Sequence, residues 1–348
     1  MINIPDKLNN LIPYEPDPGE YKIRLDANES MLSPPKELDD LIDLALHQVE
    51  IKRYPDPYAS RVCQFFAEYY EIEPELVTAG NGSDELISVI INAFLNKNDR
   101  ITILTPDFSM YEFYASIAEL DIVRIDKNED LSVDIEKTID EVKKSGAKML
   151  ILSNPCNPTS LGIKRFEMVK LMNNLPDVLV VLDEAYMDFW DQSLLQVAYE
   201  HDNLIILRTC SKMMGSAAIR LGFAVANKTL TGYIKKTKSP YNVNSLTQAA
   251  GAAVLAHPVL LESAVQRITI SRNELYLSLL GIATGKEMTV YETCTNFVLV
   301  KLNNAEKVFE GLKSEEILVR KIGENYLRIT AGTKAENLEL TNVIYKYI

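Results

Sequence analysis

Short apolar runs alternate with longer amphipathic stretches along most of this chain. Runs of four or five apolar residues are typical of buried strands, whereas apolar residues at every third or fourth position predict helices. Strands are predicted at residues 76–79, 101–104, 122–125, 148–152, 178–182, 204–207 and 221–226. Helices are predicted after Pro34 and Pro35, after residues 106–111, and at about 58–70, 86–95, 134–144 and 164–172. A chain in which strands alternate with helices is expected to form a mostly parallel sheet, covered by helices on both faces.

The two ends of the chain break this alternation. Residues 1–30 are rich in proline and aspartate and predict an irregular N-terminal arm, which ends at residues 23–29 in a short strand-like piece followed by polar residues. A helical region from about 246 to 280 is expected to bridge to a second domain. In that domain the pattern predicts strands at 297–300 and 326–330 and a helix at 305–312. The predicted fold class is α/β, with a large domain over residues 31–245 and a smaller α+β domain over residues 246–348.

The amino-acid composition and net charge argue against several functional classes of protein. The 348 residues include 36 lysines and arginines against 49 aspartates and glutamates, and the net charge of −13 argues against nucleic-acid binding, which needs a basic face. The sequence has neither an apolar run long enough to span a bilayer nor the pattern of a signal peptide. The four cysteines form no CxxC pair and the three histidines lack metal-ligand spacing. We therefore expect a cytoplasmic protein with reduced thiols and no metal.

The polar residues that could carry chemistry follow the predicted strands, where parallel sheets bind their ligands. One cluster, from Gly80 to Asp84, joins a strand to a helix. Its glycines allow successive backbone N–H groups to point at one anion, and the helix dipole adds positive potential. The cluster is a candidate phosphate site. The alternative is a tight turn with a helix N-cap at Ser83 or Asp84.

Two ionisable side chains also follow buried strands. Lys212 lies between the apolar segments 204–207 and 221–226, where burial would favour the neutral amine that forms Schiff bases with carbonyl compounds. Asp183 ends the run 178–182, and a buried carboxylate needs a partner such as a protonated pyridine nitrogen. The alternatives are a solvated loop lysine and a helix N-cap aspartate.

Four more side chains have both a functional and a structural interpretation. Asn157 and Tyr186 could each contact an oxygen of a bound ligand, or could belong to a surface turn and to the packed core. Arg220, eight residues after Lys212, could clamp a phosphate group. Arg328 lies within an apolar strand and could bind a substrate carboxylate or form an internal salt bridge.

Six sequence segments occur in order along the chain. They are GNGSDELI (residues 80–87), LDEAY (182–186), RTCSK (208–212), IRLGFAVAN (219–227), SPYNVNS (239–245) and LRITAGT (327–333). In these segments the chain resembles the fold-type I pyridoxal-phosphate aminotransferases over nearly its whole length. The SPYNVN and LRIT segments resemble the histidinol-phosphate branch of that family. The resemblance implies transamination between histidinol phosphate and 2-oxoglutarate.

The resemblance also implies roles for individual residues around pyridoxal phosphate. Lys212 would hold the cofactor as a Schiff base, and Asp183 would pair with its pyridine nitrogen. Asn157 and Tyr186 would contact its phenolic oxygen, and Phe108, where the family often has tyrosine, would stack on its ring. The residues implied around the phosphate are Gly82, Ser83, Asp84, Thr209, Ser211 and Arg220, joined by Tyr54 from the neighbouring subunit of a homodimer.

On the substrate side, the resemblance implies that Arg328 binds the substrate carboxylate. Further substrate-side candidates are Tyr14, Asn28, Tyr241, Asn242 and Arg320. The chain departs from the family pattern in two places. Ser160 stands where the family usually has glycine, and residues 30–35 replace its usual NPxGPSP-like run. The second segment flanks the substrate pocket, so the departures bear on specificity.

Three other functions remain open at this point. An aromatic amino-acid aminotransferase and a pyridoxal-phosphate decarboxylase of a phosphorylated amino acid would use the same scaffold and cofactor. A non-catalytic sugar- or nucleotide-phosphate binding protein would also use a doubly wound sheet. That third function leaves the combination of Lys212, Asp183 and Asn157 unexplained.

Overall fold

The computed structural model describes residues 2, 4–8, 11, 13, 15, 17–213 and 215–348 of the protein. Its strands are β1 (Ile23–Leu25), β2 (Val77–Gly80), β3 (Arg100–Thr105), β4 (Asp121–Asp126), β5 (Met149–Ser153), β6 (Leu179–Asp183), β7 (Leu204–Thr209), β8 (Gly222–Ala226), β9 (Met288–Val290), β10 (Phe297–Leu302), β11 (Ile317–Ile322) and β12 (Tyr326–Thr330). Its α-helices are α1 (Lys36–His47), α2 (Ser60–Tyr70), α3 (Gly82–Phe94), α4 (Met110–Ile117), α5 (Ile135–Ser145), α6 (Arg165–Asn173), α7 (Lys228–Thr237), α8 (Ser245–Leu255), α9 (Pro258–Ala283), α10 (Ala305–Ser314) and α11 (Lys334–Tyr347). The structure adds α7, α11, β9 and β11 to the elements that the apolar pattern predicts.

A seven-stranded sheet lies at the centre of the larger part of the molecule, in the order β2-β8-β7-β6-β5-β3-β4. Strands β3 to β7 are parallel, as predicted, whereas β8 runs antiparallel to both of its neighbours. Every residue of β5 and β7 is buried because apolar side chains cover both faces of the sheet. The register places Ser153 opposite Asp183, and Asp183 opposite Leu207. The carboxyl ends of β5, β6 and β7 therefore meet at one edge.

A second, five-stranded sheet has the order β1-β11-β12-β10-β9 and packs on α9, α10 and α11. Strand β1 is the strand-like piece predicted at the end of the N-terminal arm, and it pairs in parallel with β11, with Ile23 opposite Ile317. Ile23 and Leu25 are buried in the core of this second sheet, which explains the pairing. The chain after β1 is thereby placed beside residues of both sheets, since it contacts Tyr186 from one and Arg328 from the other.

The region from about 246 to 280 is helical, as predicted. The prediction of one continuous helix is wrong, because the region forms two helices. Helices α8 and α9 are separated by two residues and are bent by 81° relative to each other. Pro258 begins α9, where its missing N–H costs no helical hydrogen bond. Within the described residues no single helix is long and apolar enough to cross a membrane, and α8 and α9 meet that criterion only when taken together.

Gly222, the first residue of β8, lies against the start of α3. A Cβ atom built on Gly222 would lie 2.1 Å from the Ser83 backbone nitrogen and 2.5 Å from the Gly82 carbonyl carbon. No side chain fits in that space, because real Cβ atoms do not approach backbone atoms so closely. The absence of a side chain at this position sets the distance between β8 and the N-terminus of α3.

We expect Gly222→Ala to lower the free energy of unfolding by about 1–3 kcal/mol, since backbone must move to admit the methyl group. The matched control is Gly232→Ala within α7, where a Cβ atom would meet nothing within 4 Å. That control should raise the free energy of unfolding by about 0.5–1 kcal/mol, because alanine favours the helix. Urea denaturation of the three proteins measures both changes. Equal unfolding midpoints for both variants would contradict the role given to Gly222.

Candidate active site

Asp183 ends the central strand β6 and is 5% exposed. The Tyr111 hydroxyl donates to its Oδ2 at 2.9 Å, and the Ala185 backbone N–H donates to its Oδ1 at 3.0 Å. Burial raises the pKa of Asp183 to about 6, although both hydrogen bonds oppose the rise. No lysine or arginine in the described part of the chain forms an ion pair with this carboxylate. A ligand that brings a cationic N–H group to Asp183 would lower this pKa and stabilise the carboxylate.

Lys212 lies in the turn after β7 and is half-buried. Its Nζ donates to the Ala27 carbonyl at 3.2 Å and lies 5.7 Å from the centre of the Tyr186 ring. Tyr186 is itself 4% exposed and packs edge-on against Phe297, with ring centroids 5.3 Å apart. The amine of Lys212 and the hydroxyl-bearing ring of Tyr186 are therefore close neighbours at the edge that Asp183 also occupies.

Arg328 on β12 contacts two segments of the site. Its Nη1 donates to Oδ1 of Asn157 at 2.5 Å, and its Nη2 donates to the Asp26 carbonyl at 2.6 Å. Arg320 lies directly opposite Arg328 in the pairing of β11 with β12. Two guanidinium groups at directly opposite positions create a local positive potential, which attracts an anionic ligand. The arrangement suits a carboxylate or phosphate group of a substrate.

A second cationic region surrounds the N-terminus of α3. This helix begins at Gly82, which has φ +83°, and Arg220 Nη2 lies 2.9 Å from the position that a Cβ atom of Gly82 would occupy. Glycine at position 82 thus admits both the left-handed backbone and the guanidinium group. The free N–H groups of the first helical turn and the charge of Arg220 together make an anion-binding site.

Three further residues line the same region. The Thr209 hydroxyl donates to the Ser211 hydroxyl at 3.0 Å and accepts the Ser211 backbone N–H at 3.1 Å. Both residues are buried at the end of β7. Asp84 lies in the first turn of α3, and its Oδ2 accepts a hydrogen bond from the Tyr114 hydroxyl at 3.0 Å.

Several predicted residues have other partners in the structure. Phe108 packs edge-on against Tyr111, with ring centroids 5.5 Å apart, and Tyr111 in turn holds Asp183. Asn242 donates to Glu85 at 2.8 Å and accepts from Lys238 at 2.8 Å. Both bonds hold Asn242 to the surrounding scaffold. Tyr14 lies outside the residues that the structure describes.

The structure shows the burial and the contacts of three further predicted residues, Asn28, Tyr54 and Tyr241. Asn28 is 1% exposed and donates to the Tyr186 hydroxyl at 2.8 Å. Tyr54 is 82% exposed and stacks on Tyr241, which is 42% exposed, with ring centroids 4.8 Å apart. The stacked pair is a surface feature of this single chain, whereas Asn28 belongs to the buried site.

The sequence motifs missed the buried residues that support Asn157. Lys127 and Asp107 form an ion pair at 3.6 Å, with side chains 2% and 1% exposed. The Ser153 hydroxyl donates to Asp107 and accepts the Asn157 backbone N–H at 3.1 Å. Lys127 also donates to the Cys156 sulfur at 2.9 Å. Asp107 lies two residues after the end of β3, much as Asp183 ends β6, and this position is a usable signal in the sequence. Nothing in the sequence around Lys127 marks it as buried.

The departure at Ser160 has a structural explanation. Ser160 has φ +64°, a left-handed conformation that favours glycine, the usual residue of the family at this position. Its hydroxyl donates to the Glu292 carbonyl at 2.8 Å, and its own carbonyl accepts the Cys294 N–H at 2.9 Å. These bonds offset the backbone strain and tie the loop to residues 292–294. These partners of Ser160 thus belong to the scaffold of the loop and of residues 292–294.

The residues at this edge fit pyridoxal phosphate. The buried carboxylate of Asp183 has no cation among its described partners, and a protonated pyridine nitrogen would supply one. The position of Gly82 leaves room for the Arg220 guanidinium beside a helix N-terminus, as a phosphate group requires. The Lys212 amine lies close to Tyr186, as expected of an amine and a tyrosine hydroxyl that bind the same cofactor.

Comparison with known proteins gives a consistent result. The family model described as aminotransferase class I and II matches residues 20–344. The histidinol-phosphate aminotransferase of Clostridium novyi is 40% identical over 336 residues, covering 95% of this chain and 93% of the relative. That of Clostridium kluyveri is 40% identical over 345 residues, covering 98% and 97%.

A solved structure resembles the fold over its full length. It is the histidinol-phosphate aminotransferase of Sinorhizobium meliloti in complex with pyridoxal-5'-phosphate, with a TM-score of 0.89 and 22% identity, covering 100% of this chain and 99% of that one. At this identity the likeness shows the fold, and it confirms the predicted α/β class. The family match over residues 20–344 and the relatives 40% identical over nearly the whole chain show that this chain belongs to the class I and II aminotransferases.

Proposed function

We propose that this protein is a pyridoxal-phosphate-dependent aminotransferase that exchanges histidinol phosphate and 2-oxoglutarate with imidazole acetol phosphate and glutamate. The observation that carries the chemistry is the buried Asp183 carboxylate at the same sheet edge as the Lys212 amine. The choice of substrate rests on relatives 40% identical over nearly the whole chain that are named for histidinol phosphate.

Each residue of the site has a defined task in this reaction. Bound pyridoxal phosphate supplies a ring that delocalises the negative charge developing at the substrate α-carbon. Lys212 holds the cofactor and, once released, moves a proton to and from that carbon through Nζ. Asp183 accepts a hydrogen bond from the ring nitrogen and keeps it protonated. Asn157 and Tyr186 flank the phenolic oxygen, while Arg220 and the N-terminus of α3 hold the phosphate.

The substrate side is built from the facing arginines on β11 and β12. Arg328, with Arg320 opposite, would hold the carboxylate of glutamate and, in the other half-reaction, the phosphate of histidinol phosphate. Arg328 also contacts Asn157, so substrate binding and the cofactor-side loop share one side chain. An anionic group is present on the substrate of each half-reaction, as the carboxylate of glutamate or the phosphate of histidinol phosphate, and the same arginines can bind both.

We also propose a cytoplasmic location. All four cysteines are free in the structure, and three of them are buried. Thiols that stay reduced without pairing are typical of cytoplasmic proteins. Fractionation of the source cells with an antibody against the chain would test this directly, and recovery outside the cytoplasm would contradict it.

The substrate is tested by comparing histidinol phosphate with phenylalanine, each with 2-oxoglutarate as acceptor. We expect kcat/KM to be higher for histidinol phosphate by a factor on the order of 10² or more, because two facing arginines can bind its doubly charged phosphate group, whereas phenylalanine offers them one singly charged carboxylate. Higher activity on phenylalanine would favour an aromatic aminotransferase. Carbon dioxide release without need for a keto acid would instead indicate a decarboxylase.

The role of Lys212 is tested by trapping and by substitution. Borohydride should fix pyridoxal phosphate to the Lys212 peptide, and Lys212→Ala should lower kcat by a factor on the order of 10² to 10⁴. Lys228→Ala is the control, since Lys228 is 69% exposed and pairs only with the surface residue Glu73. Trapping on another lysine, or unchanged turnover of Lys212→Ala, would overturn the assignment.

The raised pKa of Asp183 predicts a pH-dependent stability in protein stripped of pyridoxal phosphate. The folded pKa of about 6 exceeds the ordinary value of 3.8, so the folded state keeps a proton that the unfolded state loses between those values. Stability from this group therefore falls as pH rises through this window and stays lost above it. At pH 8, Asp183→Asn should be more stable than the parent by about 2–3 kcal/mol.

The same substitution should have little effect near pH 4, where Asp183 is protonated in the folded state. With pyridoxal phosphate added at pH 8, the order should reverse, because the neutral amide cannot balance the charge of the ring nitrogen. Chemical denaturation at the two pH values, with and without cofactor, measures all four differences. A constant difference between parent and variant across this range would show that Asp183 is not the titrating group.

We propose a homodimer in which Tyr54 reaches the cofactor phosphate of the neighbouring subunit. Tyr54 is 82% exposed, and Leu44 and Ile51 nearby in sequence are 57% and 87% exposed. A surface cavity of about 440 Å³ opens between α1, α2 and α8 and is lined mainly by alanine and leucine. An exposed apolar surface of this kind is typical of a protein interface.

Mixed dimers test whether a site uses residues of both subunits. Tyr54→Ala and Lys212→Ala should each be nearly inactive as homodimers. If one site combines Lys212 of one subunit with Tyr54 of its partner, re-associated mixtures should regain roughly a quarter of the parent activity, since half of the dimers carry one intact site of two. No recovery in mixtures shown to contain heterodimers would place Tyr54 and Lys212 in the same subunit's site.

A further inference from the structure

Asn28 occupies a constrained position in the turn after β1. It is 1% exposed and has φ +52°, a backbone conformation that asparagine tolerates better than most residues. Its two preceding neighbours both contact the site through their carbonyls: Asp26 accepts from Arg328, and Ala27 accepts from Lys212. Asn28 itself contacts the site through its side chain, which reaches Tyr186.

The hydrogen bonds around Asn28 determine which end of its amide faces Tyr186. The backbone N–H of Asn28 donates to Oγ1 of Thr330 at 3.0 Å, so the Thr330 hydroxyl proton is left to donate elsewhere. The Thr330 hydroxyl lies 3.2 Å from Oδ1 of Asn28 and donates to it. Oδ1 is therefore the acceptor end of the amide, and the NH₂ group must be the end that faces Tyr186.

The backbone of Asn28 is held as firmly as its side chain. Its carbonyl accepts a hydrogen bond from the Asn296 side-chain amide at 3.1 Å. Asn296 and Thr330 are 1% and 3% exposed and come from the second sheet and its approach segment. The amide cannot turn over without breaking bonds to buried groups, which would cost about 1–3 kcal/mol for each group left unsatisfied.

This orientation has a consequence for the hydroxyl proton of Tyr186. The NH₂ group of Asn28 can only donate, so the Tyr186 oxygen, at 2.8 Å, must accept that bond. The Tyr186 proton then points away from Asn28. The ring cannot swing to a new position, because it is buried and packs edge-on against Phe297. The hydroxyl proton is directed to whatever oxygen occupies the site beside Lys212.

We propose that Asn28 is a positioning residue, which makes Tyr186 a hydrogen-bond donor to the phenolic oxygen of bound pyridoxal phosphate. This inference rests on the proposed function, because it needs the cofactor in the site. Donation by Tyr186 stabilises negative charge on the phenolic oxygen and so lowers the affinity of the neighbouring Lys212–cofactor linkage for its proton. Because Thr330 orients Asn28, the second sheet sets the electronic state of the cofactor through one side-chain amide.

Two substitutions separate the donor from the shape of the side chain. Asn28→Asp keeps the shape and tolerates the left-handed backbone, but its carboxylate can only accept, so it would draw the Tyr186 proton away from the cofactor. Asn28→Gly removes the side chain without strain at φ +52° and frees the Tyr186 hydroxyl to rotate. Neither change touches a group that contacts the cofactor.

The readout is the pH midpoint of the visible absorption change of the bound cofactor, in holoenzyme without substrate. We expect Asn28→Asp to raise this midpoint by about one pH unit and Asn28→Gly to raise it by about half a unit, since a hydrogen bond of about 1 kcal/mol is lost or weakened. Thermal unfolding of each variant checks that it is folded. A folded Asn28→Asp variant with the parent midpoint would overturn the proposal.

A double-mutant cycle tests whether the effect passes through the hydroxyl of Tyr186. On a Tyr186→Phe background, Asn28→Asp should leave the midpoint unmoved, because no tyrosine proton remains to be redirected. An equal shift on both backgrounds would mean that Asn28 acts by general electrostatics or structure, and would refute the positioning role. Failure of the proposed function would look different, because the parent protein itself would then bind no pyridoxal phosphate and show no visible band.

Discussion

The burial of one carboxylate shapes the whole site. Asp183 ends the central strand of a sheet whose faces are both covered by apolar side chains, so its charge receives little help from water. Tyr111 and the Ala185 N–H stabilise it only in part, and its pKa stays raised. A buried carboxylate with a raised pKa binds a cationic group strongly. Under the proposed function, the protonated ring nitrogen of bound pyridoxal phosphate would offset the free energy that the fold loses by burying Asp183.

The substrate side of the proposed site depends on a short segment of the chain that lies outside both sheets. Residues 26–28 follow β1, which is paired into the second sheet, and they contact Arg328, Lys212 and Tyr186 in turn. Arg328 belongs to the same sheet as β1, so movement of the second sheet relative to the first would be felt at the contacts with Lys212 and Tyr186. The segment therefore links Arg328 to Lys212 and Tyr186 through direct hydrogen bonds.

The local pattern of apolar and polar residues predicted the strands that lead into the site. Buried parallel strands require continuous apolar runs and have their polar residues at the ends. Lys212, Asp183 and Asn157 each follow such a run, and the structure brings all three to one edge. The residues that hold them were harder to find. Lys127 and Tyr111 are ordinary in sequence, and only their burial beside Asp107 and Asp183 gives them a role.

The sequence by itself determined the α/β class, the parallel core strands and the order of the motifs, since these follow from periodicity and from residue types that suit one chemistry. The tertiary structure alone decided the rest. It placed β1 in the second sheet, bent the helical region at Pro258, and directed Asn28 at Tyr186. Each of these depends on contacts between residues more than a hundred positions apart or on the packing of one element against another, which no local pattern records.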